Sequence, residues 1–148
     1  MKKNKSFSLH RILVPIDFSK NAHRALHHAI GLAIQFGARI TLLHVVEPAI
    51  YPAEVAIIVT NHKQILGNSR KLLVKLEQKR IPDKSRGRTL VRVGRPDFEI
   101  AEVARKMKAD LIVLTTHGYS GFKRILLGST AEWVVRHAPC PVLTVRIR

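Results

Sequence analysis

Five short apolar runs recur along the chain with segments of helical spacing between them, and that alternation most restricts the fold. Residues 11–17 (RILVPID) are apolar and closed by Pro15 and Asp17, the pattern of a buried parallel strand that ends in a loop. Ser19 supplies an N-cap. Ala22, Leu26, Ala29, Ile30, Ala33 and Phe36 then recur at helical spacing, and Gly37 stops the helix. Residues 39–46 (RITLLHVV) predict a second strand, ended by Glu47 and Pro48. Residues 49–60 mix Pro52 with an AIIV run and read either as a loop or as the start of a long helix. From Asn61 a stripe of Ile65, Ser69, Leu72, Leu73 and Leu76 with basic flanks predicts a helix up to Pro82.

Residues 89–93 predict a third strand, and Asp97 is expected to cap a helix with Ile100, Val103, Ala104 and Met107 on its inner face. Residues 110–115 predict a fourth strand. Ser129 and Glu132 have the spacing of a capping box that opens a helix through Arg136, and residues 141–145 predict a fifth strand. Strands alternating with helices imply right-handed βαβ units, hence an α/β fold whose parallel sheet is covered on both faces. No internal repeat or linker interrupts residues 1–148, so a single domain is expected, with a basic tail at residues 1–8.

Charge is the other conspicuous property. Lys and Arg number 26 against 10 Asp and Glu, a formal charge of +16, which attracts polyanions at low salt. The densest stretch, Arg70 to Arg95, has no aromatic residue to stack on a base, and no zinc-finger, RNP or KH signature occurs. A solvated helix face and loop are therefore favoured over a nucleic-acid surface. At 148 residues and 46% hydrophobic, the chain is long and apolar enough for one core. The single cysteine, Cys140, cannot form an internal disulfide, and no apolar run approaches the ~20 residues of a membrane span. A soluble cytoplasmic protein is expected, without membrane contact.

Open parallel sheets bind ligands beyond the carboxyl ends of their strands. Three segments lie there: Pro15-Ile16-Asp17, His44-Val45-Val46 and the stretch from Thr115 to Gly118. The last leads through nine residues to Gly128-Ser129-Thr130 at a helix start, where unpaired N–H groups and the helix dipole suit a phosphate.

The segment TTHGYSGFKRILLGSTAEWVVRHAPCPVLTVR resembles the C-terminal signature of the universal stress protein family, and RILVPIDFS, LLHVVEP and VGRPDFEIAEVARKMKADLIVL extend the resemblance. It implies an open five-stranded parallel sheet of order 3-2-1-4-5 with helices on both faces. It also implies a homodimer pairing through the last strand, from Pro141 to Val145. One branch of the family binds ATP through Gly-x2-Gly-x9-Gly-(Ser/Thr). Gly118, Gly128 and Ser129 match that pattern, whereas Thr115 stands at the first glycine. Were a positive φ needed there, threonine would cost about 1–2 kcal/mol, weakening binding roughly tenfold. With a negative φ, Thr115 is harmless and can offer its hydroxyl.

Carried over position by position, the resemblance assigns Asp17 to the ribose or adenine side, Pro15 and Ile16 to the loop beneath it, Val45 to backbone contacts with the base, and Leu114 to its flank. The amides of Gly118, Gly128, Ser129 and Thr130 would hold the phosphates, helped by the Ser129 hydroxyl, while Lys123 and Arg124 neutralise charge. Asp17 also has a plainer reading as a turn residue satisfying its own backbone. A magnesium or manganese ion would be held mainly by the phosphates. His117 is read as shaping the loop, with proton transfer as the alternative. The implied function is nucleotide binding in a stress response, with slow hydrolysis at most. The alternatives are a homodimeric interaction module that binds no ATP, or a polyanion-associated basic protein.

Other motifs carry less. There is no G-x-x-x-x-G-K-[ST] and no G-x-S-x-G. His23 and His27, four apart on one helix, form a metal candidate without a third ligand. Cys140 and Trp133 read as structural.

Overall fold

The computed structural model describes residues 8–48, 62–116 and 127–146. The elements follow in the order β1 (Arg11–Pro15), α1 (Lys20–Phe36), β2 (Arg39–Val46), α2 (His62–Arg80), a 3-10 turn (Asp83–Ser85), β3 (Arg86–Val93), α3 (Pro96–Met107), β4 (Leu111–Thr115), α4 (Ser129–His137) and β5 (Val142–Val145). All the strand pairs are parallel and the sheet order is β3-β2-β1-β4-β5, as expected.

Alternation along each strand sends side chains to two cores. Ile12, Val14, Leu42 and Val113 face Ala22, Leu26, Ala29 and Ala33 of α1 and Leu73 of α2. Leu13, Leu43, Ile112 and Leu114 face Ile100, Val103 and Ala104 of α3 and Ala131 and Val134 of α4. Because both faces are covered, the strands read as unbroken apolar runs. α1 opens with Ser19 Oγ accepting the Ala22 N–H at 3.1 Å and closes on Gly37, whose φ of 68° is left-handed.

Several local expectations are corrected. Phe36 is 43% exposed. A 17-residue helix spans about 25 Å and the five-residue β1 about 17 Å, so the last turn of α1 overhangs the sheet. On α2 the inner row is Leu66, Ser69, Leu73 and Leu76, and Ile65 and Leu72 lie about 100° round the helix and stay exposed. β3 begins at Arg86, three residues before the predicted start. Arg86 donates through Nε and Nη2 to the carbonyls of Ile81 and Gln78, each at 2.9 Å, so one of the basic residues closes the end of α2. The residue capping α3 is Arg95, with Pro96 at the first helical position, and Asp97 sits in the first turn. Ser129 and Glu132 form no capping box: Gly128 is the N-cap, and Glu132 pairs with Arg136 at 2.7 Å. The ambiguous stretch 49–60 and most of the basic tail lie outside the described residues.

Asp110 ties the start of β4 to the start of β1. Its Oδ2 accepts the backbone N–H groups of His10 (3.1 Å) and Arg11 (2.8 Å), and its Oδ1 lies 3.3 Å from Arg11 Nη2. Burial alone would raise its pKa, but these hydrogen bonds together hold it below the usual carboxylate value. With the folded pKa depressed, the unfolded chain binds protons first as pH falls. The stabilisation is therefore complete above about pH 4 and is lost as pH drops through the folded value. Asp110→Ala is expected to lower stability by about 1 kcal/mol at neutral pH, with the gap to the parent narrowing progressively in melts as the pH falls below about 4. A gap of constant size across that range would contradict this role.

Candidate functional site

The order β2-β1-β4 puts the chain's reversal of direction beside β1, where an open sheet leaves a crevice beyond its strand ends. A cavity of about 460 Å³ occupies that place. Its base is apolar, formed by Pro15, Ile16, Leu43, Val45, Ile100 and Leu114, and its polar groups come from Asp17, Glu47, Thr115, Thr116, Ser129 and Thr130. That size and mixture suit a small organic ligand with one polar end.

The β1–α1 loop is tightly braced. The Ile16 N–H donates to the Leu43 carbonyl at 2.7 Å, which carries the β1–β2 ladder past Pro15. Asp17 Oδ1 accepts the Ser19 N–H at 2.9 Å, so the turn-forming role of Asp17 is realised and one of its oxygens is committed. Phe18 has a φ of 61°, unusual for a residue with a side chain. The ring of His44 on β2 lies against it, centroids 4.6 Å apart, and His44 Nδ1–H donates to the Ile16 carbonyl at 2.7 Å.

The other wall is the start of α4. Gly128 takes φ −60° and ψ 153°, and the helix has no side-chain cap. Its first hydrogen bond runs from the Glu132 N–H to the Gly128 carbonyl at 2.8 Å. The N–H groups of Ser129, Thr130 and Ala131 belong to the first turn, where the helix itself offers them no acceptor. The Gly128 amide departs from expectation: it already donates to the Thr116 carbonyl at 2.7 Å, so Gly128 contributes its backbone course rather than a donor. Thr115 is the last residue of β4 and is not among the described residues with positive φ, so its side chain carries no conformational penalty.

Pro15, Ile16, Asp17, Val45, Leu114, Thr115, Gly128, Ser129 and Thr130 are thus brought to one crevice. His117, Gly118, Lys123 and Arg124 lie outside the described residues. Glu47 and Thr116 also line the cavity and were not anticipated. Glu47 could have been found from its place directly after a strand, whereas nothing in the sequence marks His44 as a brace. Among the described residues no three His, Cys, Asp or Glu side chains group to hold a metal, and His23 and His27 instead share a hollow with arginines. Burial pushes the Cys140 thiol up, with Asp110 adding to the effect, which keeps it protonated and inert. Trp133 packs on the α3–α4 core and stacks on His137 with centroids 4.1 Å apart.

An open parallel sheet with a ligand-sized crevice at its switch point and a helix N-terminus on the rim defines a doubly wound α/β fold. The universal stress protein family model matches residues 8–146, and the chain belongs to that family. It is 36% identical over 139 residues to a universal stress protein of Methanocaldococcus jannaschii, covering 92% of this chain and 81% of the relative. The structure of UspA from Lactobacillus plantarum superposes with a TM-score of 0.81 at 28% identity, covering 94% of this chain and 99% of that one. Two more distant structures share the fold. One is a universal stress protein in complex with cAMP, with TM-score 0.68, 22% identity and coverage of 93% and 97%. The other is a family protein of Arabidopsis thaliana with AMP bound, with TM-score 0.61, 18% identity and coverage of 94% and 92%. Among the described residues, no helix is long and apolar enough to cross a membrane.

Proposed function

We propose that this chain is a stress-response protein that binds ATP in the crevice and turns it over slowly or not at all. One observation carries the reading: all the described residues that the family resemblance assigns to a nucleotide line the same cavity. The adenine packs on Val45, Leu114 and the Pro15–Ile16 turn, Asp17 receives a ribose hydroxyl, and the phosphates lie on the Ser129 and Thr130 amides and hydroxyls. The partial positive charge of a helix start favours that end for the anion. A magnesium or manganese ion is carried by the phosphates. That two proteins of this fold hold adenine nucleotides supports the capacity of the architecture for such ligands.

Equilibrium titration with labelled ATP tests the proposal, and silence at millimolar ligand from folded protein rejects it. Thr115→Gly is expected to leave affinity within about twofold, because the extended backbone gains nothing from glycine. Substantially tighter binding would instead identify the Thr115 side chain as an obstacle.

Among the described residues β5 is an edge strand, with Leu143 39% exposed, a rim suited to a second copy. This supports a homodimer formed through Pro141 to Val145, and we further propose a cytoplasmic, membrane-free protein. The same edge favours the second reading, an interaction module in which pairing rather than nucleotide is the functional event. An inert ATP titration with an intact dimer would select it.

A further inference from the structure

Sharing no lining residue with the crevice, a second hollow of about 450 Å³ opens where α1, the end of α2 and the end of β5 meet. Three arginines line it, Arg24 from α1, Arg80 from α2 and Arg146 just past β5, together with His23, His27 and His28 of α1. Among the described residues no carboxylate lines it. Like charges drawn from three elements around one concavity repel one another, and the recess focuses their field toward an anion.

The groups are suited to a particular kind of anion. Guanidinium forks meet phosphate oxygens with two hydrogen bonds each. The Nδ1 of His23 is buried with no hydrogen-bond partner among the described residues. That orphaned ring nitrogen is a buried polar group on the wall of the hollow which no described residue satisfies. Among the described residues no Trp, Tyr or Phe lines the hollow, so the side chains that stack on bases most strongly are missing, which disfavours nucleic acid.

We propose that this cleft binds a short chain of phosphates without a base. The site gives part of the +16 charge a purpose that the nucleotide crevice does not, and it draws its arginines one each from α1, the end of α2 and the residue after β5.

Calorimetric titration with inorganic tripolyphosphate at 150 mM salt provides the test, using the full chain. The parent protein is expected to bind, and the double variant Arg80→Gln/Arg146→Gln to bind at least tenfold more weakly. Arg88→Gln/Arg92→Gln removes the same charge from exposed positions of β3 and is expected to leave affinity within twofold. ATP affinity should be unchanged in both. The proposal is overturned by equal losses in the two variants, which would mean diffuse attraction. It is also overturned by undiminished binding in the cleft variant, or by a single-stranded RNA of equal charge binding more tightly through the same arginines.

Discussion

Ser129→Pro is expected to weaken ATP binding by about 10- to 150-fold while the protein melts within a few degrees of its parent. Ser129 is the first residue of α4, the one helical position where proline is favoured, since its φ is already suitable and its missing N–H has no intrahelical acceptor. Proline also restricts the residue before it, but Gly128 at φ −60° and ψ 153° already occupies the permitted region. The substitution therefore removes one amide and one hydroxyl from the crevice and nothing from the helix ladder. A hydrogen bond to a charged group is worth about 1.5–3 kcal/mol, which converts to the stated range. Ser129→Ala keeps the amide and should lose distinctly less. ATP affinity unaltered by proline would mean that the phosphates lie elsewhere, even if the nucleotide binds.

That experiment isolates a role that sequence and structure describe differently. From the sequence, Ser129 reads as the cap of its own helix and Gly128 as an anion-binding amide. In the folded chain Gly128 is the cap position, and its amide is held by the Thr116 carbonyl, so the donors begin one residue later. Sequence spacing identifies a helix start to within a residue, and the difference between a cap and a first turn is only that wide.

The sheet was readable because its strands are buried on both faces and their apolar runs stand out from the segments around them. The ends of the elements were less so. Phe36 has the spacing of a core residue, but where α1 overruns β1 depends on the lengths of two elements that meet only in space. The bracing of the β1–α1 loop was hidden for a similar reason. His44 and Ile16 are 28 residues apart, and no local pattern announces that an imidazole on β2 will hold a carbonyl beyond β1. By contrast, the gathering of Asp17, Val45 and Ser129 followed from topology alone, because parallel strands deliver their carboxyl ends to one edge.

The early start of β3 leads to the last prediction, that Gly87→Val destabilises the domain by about 1–3 kcal/mol. Glycine ordinarily weakens a strand, and the strand expected from the sequence starts only at Thr89. The pairing shows why glycine is tolerated there: Ile40 aligns with Arg86 and Leu42 with Thr89, so β3 carries one residue more than β2 over that stretch, a bulge. Within it the Gly87 backbone passes so close to β2 that an added Cβ would lie 2.6 Å from the Ile40 carbonyl oxygen and 3.2 Å from Thr41 Oγ1. The first of these is a backbone atom near the start of β2, a strand paired on both sides, and has little room to retreat. For a chain of this length the loss corresponds to a melting temperature lower by roughly 2–12 °C. Gly87→Ala should act in the same direction, because the Cβ alone makes the collision. Gly67→Ala on α2, where a Cβ meets nothing within 4 Å, should stabilise by up to about 1 kcal/mol through helix propensity. Since Gly87 lies at the end of the sheet opposite the crevice, its variants should bind ATP as the parent does while folded. Equal melting of Gly87→Val and the parent would show that β2 and β3 stand further apart at the bulge than these contacts require.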